Sequence, residues 1–134
     1  MGLLAFSDRG EFEIYYSVQV TVDTKNYKIY RVSGRILIKN KAECVSKQNS
    51  VIEDLSKISL SVEKVIEKFE THRGDESGES IANGIYLDLP SGDGLGAECY
   101  LWGKQIKEEE GYYDNLTVFI ETKANRDFIQ NEAY

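Results

Sequence analysis

The stretch "EFEIYYSVQVTVD", Glu11 to Asp23, alternates apolar and polar residues almost without a break. Phe12, Ile14, Tyr16, Val18, Val20 and Val22 share one parity, and Glu11, Glu13, Tyr15, Ser17, Gln19, Thr21 and Asp23 share the other. Successive side chains of a strand point to opposite faces, so this pattern builds a strand with one buried side. A helix would scatter the same residues around its circumference. The next segment, "YKIYRVSGRILIKNK", keeps the even parity at Tyr30, Val32, Ile36 and Ile38. Thr24, Lys25 and Asn26 between them read as a three-residue hairpin turn, with Asn26 in the left-handed conformation. That turn sets Val20 opposite Tyr30, Val18 opposite Val32 and Ile14 opposite Ile36. On the other face it sets Gln19 opposite Arg31, Tyr15 opposite Arg35 and Glu11 opposite Lys39.

Helical spacing follows the hairpin. Ser50–Glu53, "SVIE", has the form of a capping box, with Val51, Ile52, Leu55 and Ile58 on one face. A second helix is expected from Ser61, with Leu60 and Val65 as a hydrophobic staple. Its stripe of Val62, Val65, Ile66 and Phe69 suits the even face of the hairpin. Gly74 would close that helix, with His72 and Arg73 in its last turn. The polar run "GDESGESIANG" reads as a loop, and "IYLDL", "AECYLWG" and "LTVFIET" as three more strands. The tail "NRDFIQNEAY" has the pattern of a short helix docked through Phe128 and Ile129. The expected fold is therefore α+β: an antiparallel sheet of about five strands in ββ-α(α)-βββ order, with one or two helices packed on one face. No linker divides residues 1–134, so a single domain is expected.

The chain has 23 acids against 16 bases, a net charge of −7. Such a surface disfavours nucleic acid and anionic membranes as partners and favours a basic protein. Two cysteines, Cys44 and Cys99, do not make a disulfide framework, and their separation matches no metal-ligand spacing, so free thiols are expected. The start, "MGLLAFSDRG", is too short in apolar residues for a secretory core, and it places Phe6 where a myristoylation signal needs Ser or Thr. No stretch reaches the length of a membrane span, and a cytoplasmic location is expected.

Candidate chemistry is thin. "PSGDGLGAE", Pro90 to Glu98, spaces its glycines as G-x-G-x-G ahead of a strand pattern, not as a phosphate loop ahead of a helix. Asp88, Asp93 and Glu98 do not follow the calcium-loop register. The glycines read as a turn between two strands. One histidine and two separated cysteines make neither a metal cluster nor a convincing Cys–His pair. No catalytic residue, metal or cofactor is expected.

A surface is the better lead. If Ile85, Leu87 and Leu89, then Ala97, Cys99 and Leu101, then Leu116, Val118 and Ile120 face the core, the opposite side presents Tyr86, Asp88, Glu98, Tyr100 and Trp102. Thr117, Phe119 and Glu121 share that side, and Glu108, Glu109, Glu110, Tyr112 and Tyr113 flank it. Aromatic anchors with a charged rim are the raw material of protein–protein hot spots. The leading expectation is a non-catalytic acidic binding module, in its concrete form an immunity-type inhibitor of a basic toxin such as a nuclease. The alternatives are an assembly subunit that self-associates through the aromatic strand face, and a small-ligand pocket with convergent polar groups.

Overall fold

The computed structural model describes residues 3–8, 15–57, 63–66 and 68–128, with backbone only for residues 3–8 and 63–66. Phe12, Ile14, Ile58, Leu60, Ser61, Val62 and Ile129, to which the sequence assigned roles, lie outside the described residues or side chains. The strands are β1 (Leu3–Asp8), β2 (Ser17–Asp23), β3 (Ile29–Leu37), β4 (Glu63–Ile66), β5 (Glu70–Thr71), β6 (Ile81–Asp88), β7 (Gly94–Leu101) and β8 (Asn115–Glu121). The helices are α1 (Lys41–Ser56), α2 (Lys104–Glu110) and α3 (Lys123–Phe128). One antiparallel sheet runs β1-β2-β3-β8-β7-β6-β4, with β5 paired to the start of β6. The α+β class thus stands, with eight strands in place of about five.

The β2–β3 hairpin forms, but two residues out of the expected register: Val20 faces Val32, and Val18 faces Gly34. The turn is longer than Thr24–Asn26. Asp23 N–H donates to the Lys28 carbonyl at 2.9 Å, and the Asp23 carboxylate accepts the Lys25 N–H at 2.8 Å. That amide, with the Tyr30 hydroxyl, holds the Asp23 carboxyl below its ordinary range. Tyr27, not Asn26, takes the left-handed conformation (φ 57°). A shift of two preserves parity from Ser17 to Thr21, and a bulge between Thr21 and Val22 then breaks it by setting Val22 opposite Ile29.

The helices depart further from expectation. Helix α1 starts at Lys41, nine residues before the box read at Ser50. Asn40 caps it by accepting the Glu43 N–H at 2.8 Å, while Glu43 accepts the Lys39 N–H at 3.2 Å. The Asn40 contact satisfies a donor that the first turn leaves open and is worth about 1 kcal/mol, while the Glu43 contact ties the preceding Lys39 to the helix. Residues 63–66, expected in a helix, form β4 beside β6, with Val65 opposite Tyr86. Glu63–Ile66, in which only Val65 and Ile66 are apolar, is too short to show either periodicity, and pairing with the β6 edge decides it. His72, Arg73 and Gly74 accordingly end no helix; they turn the chain after β5.

Helix α1 lies over β6, β7 and β8, not over the β2–β3 hairpin. Cys44, Gln48 and Ile52, four residues apart, point into the sheet. They meet Ile85, Leu87, Leu95, Ala97, Leu116 and Val118, the core that the alternating late strands indicated. Leu87 and Leu116 are fully buried, each worth about 1.5–3 kcal/mol. Gln48 Nε2 donates to Asn83 Oδ1 at 2.7 Å and to the Ala97 carbonyl at 2.9 Å, so its burial leaves no open donor. Cys44 and Cys99 are joined in a disulfide, with Cα atoms 6.1 Å apart. The expectation of free thiols is corrected: packing the helix on β7 closes a 55-residue separation that spacing alone could not interpret.

"PSGDGLGAE" is a turn. Leu89 N–H donates to the Asp93 carbonyl and Gly92 N–H to the Leu89 carbonyl, both at 2.9 Å, and Gly92 has φ 92°. Gly94 and Gly96 serve differently. They lie in β7, where a Cβ on Gly96 would stand 2.5 Å from the Phe119 ring and one on Gly94 would stand 2.9 Å from the Arg126 guanidinium. They clear space on the face opposite α1.

Candidate functional site

Among the described residues, α1 does not cover that opposite face. From β2 to β6 it carries Gln19, then Arg31, Ser33 and Arg35, then Thr117 and Phe119, then Glu98 and Tyr100, then Tyr86 and Asp88. The sequence placed Tyr86, Asp88, Glu98, Tyr100, Trp102, Thr117, Phe119 and Glu121 on one side, and they share it. It did not separate them into two basins, which the structure does.

The first basin is a cup of about 440 Å³ over β2, β3, β7 and β8. Its wall is aromatic. Tyr100 and Trp102 stack with ring centres 5.6 Å apart, Tyr112 lies 4.9 Å from Trp102, and His72 meets Trp102 edge-on at 4.8 Å. Across the cup Tyr113 meets Tyr16 at 6.3 Å. Tyr112 and Tyr113 are exposed, as Glu108, Glu109 and Glu110 on the neighbouring helix α2 are. Burial first, and then the nearby Glu98 charge, pushes the Tyr100 hydroxyl well above its ordinary range, so it stays a neutral donor.

The wall is held by a buried hydrogen-bond lock. The Asp75 carboxylate accepts from Ser77 N–H at 3.0 Å, Ser77 Oγ at 2.7 Å, Ser80 N–H at 3.0 Å, and the Ser80 hydroxyl. Ser80 Oγ in turn accepts the Gly103 N–H at 2.8 Å. These donors lower the Asp75 pKa to about 2, the Ser80 hydroxyl contributing most. Gly103 is needed at this approach, because a Cβ there would stand 2.5 Å from Glu79 Cβ. Asp114 accepts the Trp102 N–H at 2.8 Å and the Lys107 ammonium at 3.1 Å. The loop bearing His72, the end of β7 bearing Trp102 and helix α2 are thereby tied together.

The second basin, about 680 Å³, contains Tyr86, Asp88 and Glu98, and its charges are matched within the chain. Arg126 of α3 bonds Asp88 and, through Nε at 3.1 Å, Glu121. Glu98 accepts from Tyr86 at 2.9 Å and pairs with Arg31 at 3.5 Å, while Arg31 covers Phe119 with its guanidinium 4.5 Å from the ring centre. Phe119, read from sequence as outward, is on that face but only 3% exposed.

Of the expected site residues, Tyr100, Trp102, Glu110, Tyr112 and Tyr113 line the cup; Tyr86, Asp88 and Glu98 line the second basin; Glu108 and Glu109 stand on α2 beside the cup. Arg31, Arg35, His72, Tyr16 and Arg126 were missed. The parity of β3 placed Arg31 and Arg35 on the polar side, a signal that attention to acids and aromatics passed over. No sequence signal brings His72 or Arg126 to the face. Among the described residues no group of three His, Cys, Asp or Glu side chains could hold a metal ion, and no helix is long and apolar enough to cross a membrane. No family model matches the chain, and no curated protein or solved structure shows significant similarity to it.

Proposed function

We propose that the chain is a non-catalytic binding module that seats a basic protein partner on its open face, most concretely as an immunity-type inhibitor that neutralises a basic toxin such as a nuclease. One observation carries this reading: aromatic residues from four separate segments converge on one cup beside the acidic end of α2. Exposed Glu108, Glu109 and Glu110 steer a cationic surface, and Trp102, Tyr112 and Tyr113 receive its anchors. Asp88 and Glu98, already paired with arginines, shape the face and leave the mimicry of substrate phosphates to the α2 acids. A cytoplasmic home, expected from the sequence, would keep Cys44 and Cys99 reduced. The joined pair favours an oxidising compartment, and that is the location proposed.

The test is affinity capture from the source cells with three baits: wild type, Trp102→Ala, and Glu108→Lys/Glu109→Lys/Glu110→Lys. Wild type should retain one basic protein stoichiometrically at low salt. With that protein purified, the triple reversal should slow association about tenfold or more, and Trp102→Ala should speed dissociation. Equal retention by all three baits, or recovery of the chain alone, would sink the reading.

A further inference from the structure

Two arginines line the cup with donor capacity that no acceptor among the described residues takes up. Arg31 and Arg35 stand on the same face of β3, and both line it. Arg31 gives a single N–H to Glu98 at the long distance of 3.5 Å, and its buried Nε–H has no acceptor. The Arg35 side chain makes no ion pair or hydrogen bond among the described residues. Two of the neutral polar groups that line the cup are already engaged. Thr117 Oγ1 donates to Asn115 Oδ1 at 2.7 Å, and Asn115 Nδ2 donates to the Tyr113 carbonyl at 3.0 Å. Glu110 is the one carboxylate among the lining residues, and it is exposed on the last turn of α2.

Arg31 has a buried donor without an acceptor and Arg35 is exposed at the cup, and a carboxylate matches the planar fork of either with two parallel bonds. The wall sets the rest of the ligand. Ring surface from Trp102, Tyr112 and Tyr113 faces a space of about 440 Å³, the size of a small-molecule site and too small for a folded element. We infer that the cup binds a small organic acid, a planar or apolar body that lies against the rings and directs its carboxylate to Arg35. This goes beyond the partner-binding reading: the two share the ring wall, but Arg35 belongs only to the acid site.

Trp102 is the one tryptophan of the chain, so its fluorescence reports the cup directly. The probes are 3-phenylpropionate, its neutral amide 3-phenylpropanamide, and the cationic 3-phenylpropylamine, each titrated into the full chain, with calorimetry as the second readout. The acid should bind saturably with Kd in the range of about 10 μM to 1 mM, and the amide and amine at least about tenfold more weakly. Arg35→Gln should weaken the acid about tenfold or more and leave the amide unchanged, and Arg35→Lys should restore part of the loss. Equal binding of acid and amide, an unaltered acid affinity in Arg35→Gln, or no saturable binding of any probe would overturn the inference. No partner protein is needed, so failure here leaves the partner reading standing. A failure of the α2 charge reversals would likewise leave the acid site untouched.

Discussion

Strand β7 carries two chemistries on its two sides. Toward α1 it presents Leu95, Ala97 and Cys99, all buried, the last one covalently joined to the helix. Away from α1 it presents Gly94, Gly96, Glu98 and Tyr100, two residues that make room and two that offer polar groups. On the covered side the one large buried polar side chain, Gln48, has both of its donors accepted. On the open side an arginine donor lies buried without an acceptor, and aromatic rings stand exposed around it. Burial of apolar area with every polar group satisfied is what stabilises a domain; incompletely matched groups in a concave setting are what a ligand or partner completes. The comparison assigns stability to one face and recognition to the other.

That division can be broken by measurement. The largest effect should come from the covered face: Leu116→Ala or Leu87→Ala should cost about 2–5 kcal/mol in urea unfolding, because each opens a cavity under α1. A cost below about 1 kcal/mol would mean that α1 is not firmly docked. Joint replacement Cys44→Ala/Cys99→Ala should cost about 2–4 kcal/mol, mostly by releasing the unfolded chain from a long loop. Thiol titration of the natively isolated protein should find no free cysteine, and two reactive thiols would remove the staple from the account.

A smaller effect is tied to the lock beneath the cup. The Asp75 carboxyl has its pKa lowered from 3.8 to about 2 in the folded chain. Its stabilising effect is therefore complete above about pH 4 and is lost as pH falls toward 2. Asp75→Asn should be less stable than wild type at neutral pH, with a shallower loss of stability across that window; identical acid profiles would show the lock to be unimportant. The smallest effect belongs to the open face. Arg35→Gln should shift stability by no more than about 0.5 kcal/mol, since the side chain has no partner to lose among the described residues. A loss of several kcal/mol would make Arg35 structural and erase the contrast between the faces.

Much of this contrast was legible in the sequence, because period-two alternation fixes which residues share a side whatever their neighbours are. Tyr86, Glu98, Tyr100 and Phe119 were placed on one face by that rule alone, and it survived a hairpin register two residues away from the expected one. Register was less legible, since it depended on how Asp23 and Tyr27 shape the turn. The segment holding Val65 and Ile66 was misread because four residues suit a helix stripe and an edge strand equally well. Asn40 and Glu43 have the same three-residue spacing as Ser50 and Glu53, so the local pattern alone does not choose between the two helix starts.

What the sequence determined by itself was the α+β class, the two-sided character of the strands, the presence of a turn within Pro90–Glu98 and the acidic charge. Each of these depends on residues close together in the chain. The tertiary structure decided where α1 lies and, with it, that Cys44 meets Cys99; it drew His72, Trp102, Tyr112 and Tyr16 around one cup. It also matched Asp88 and Glu98 with arginines while leaving Arg35 free of an ion pair among the described residues. Those outcomes depend on the order β3-β8-β7-β6, which brings segments distant in sequence side by side. Local periodicity carries no information about that order, because any pairing that buries the same parity satisfies it equally well.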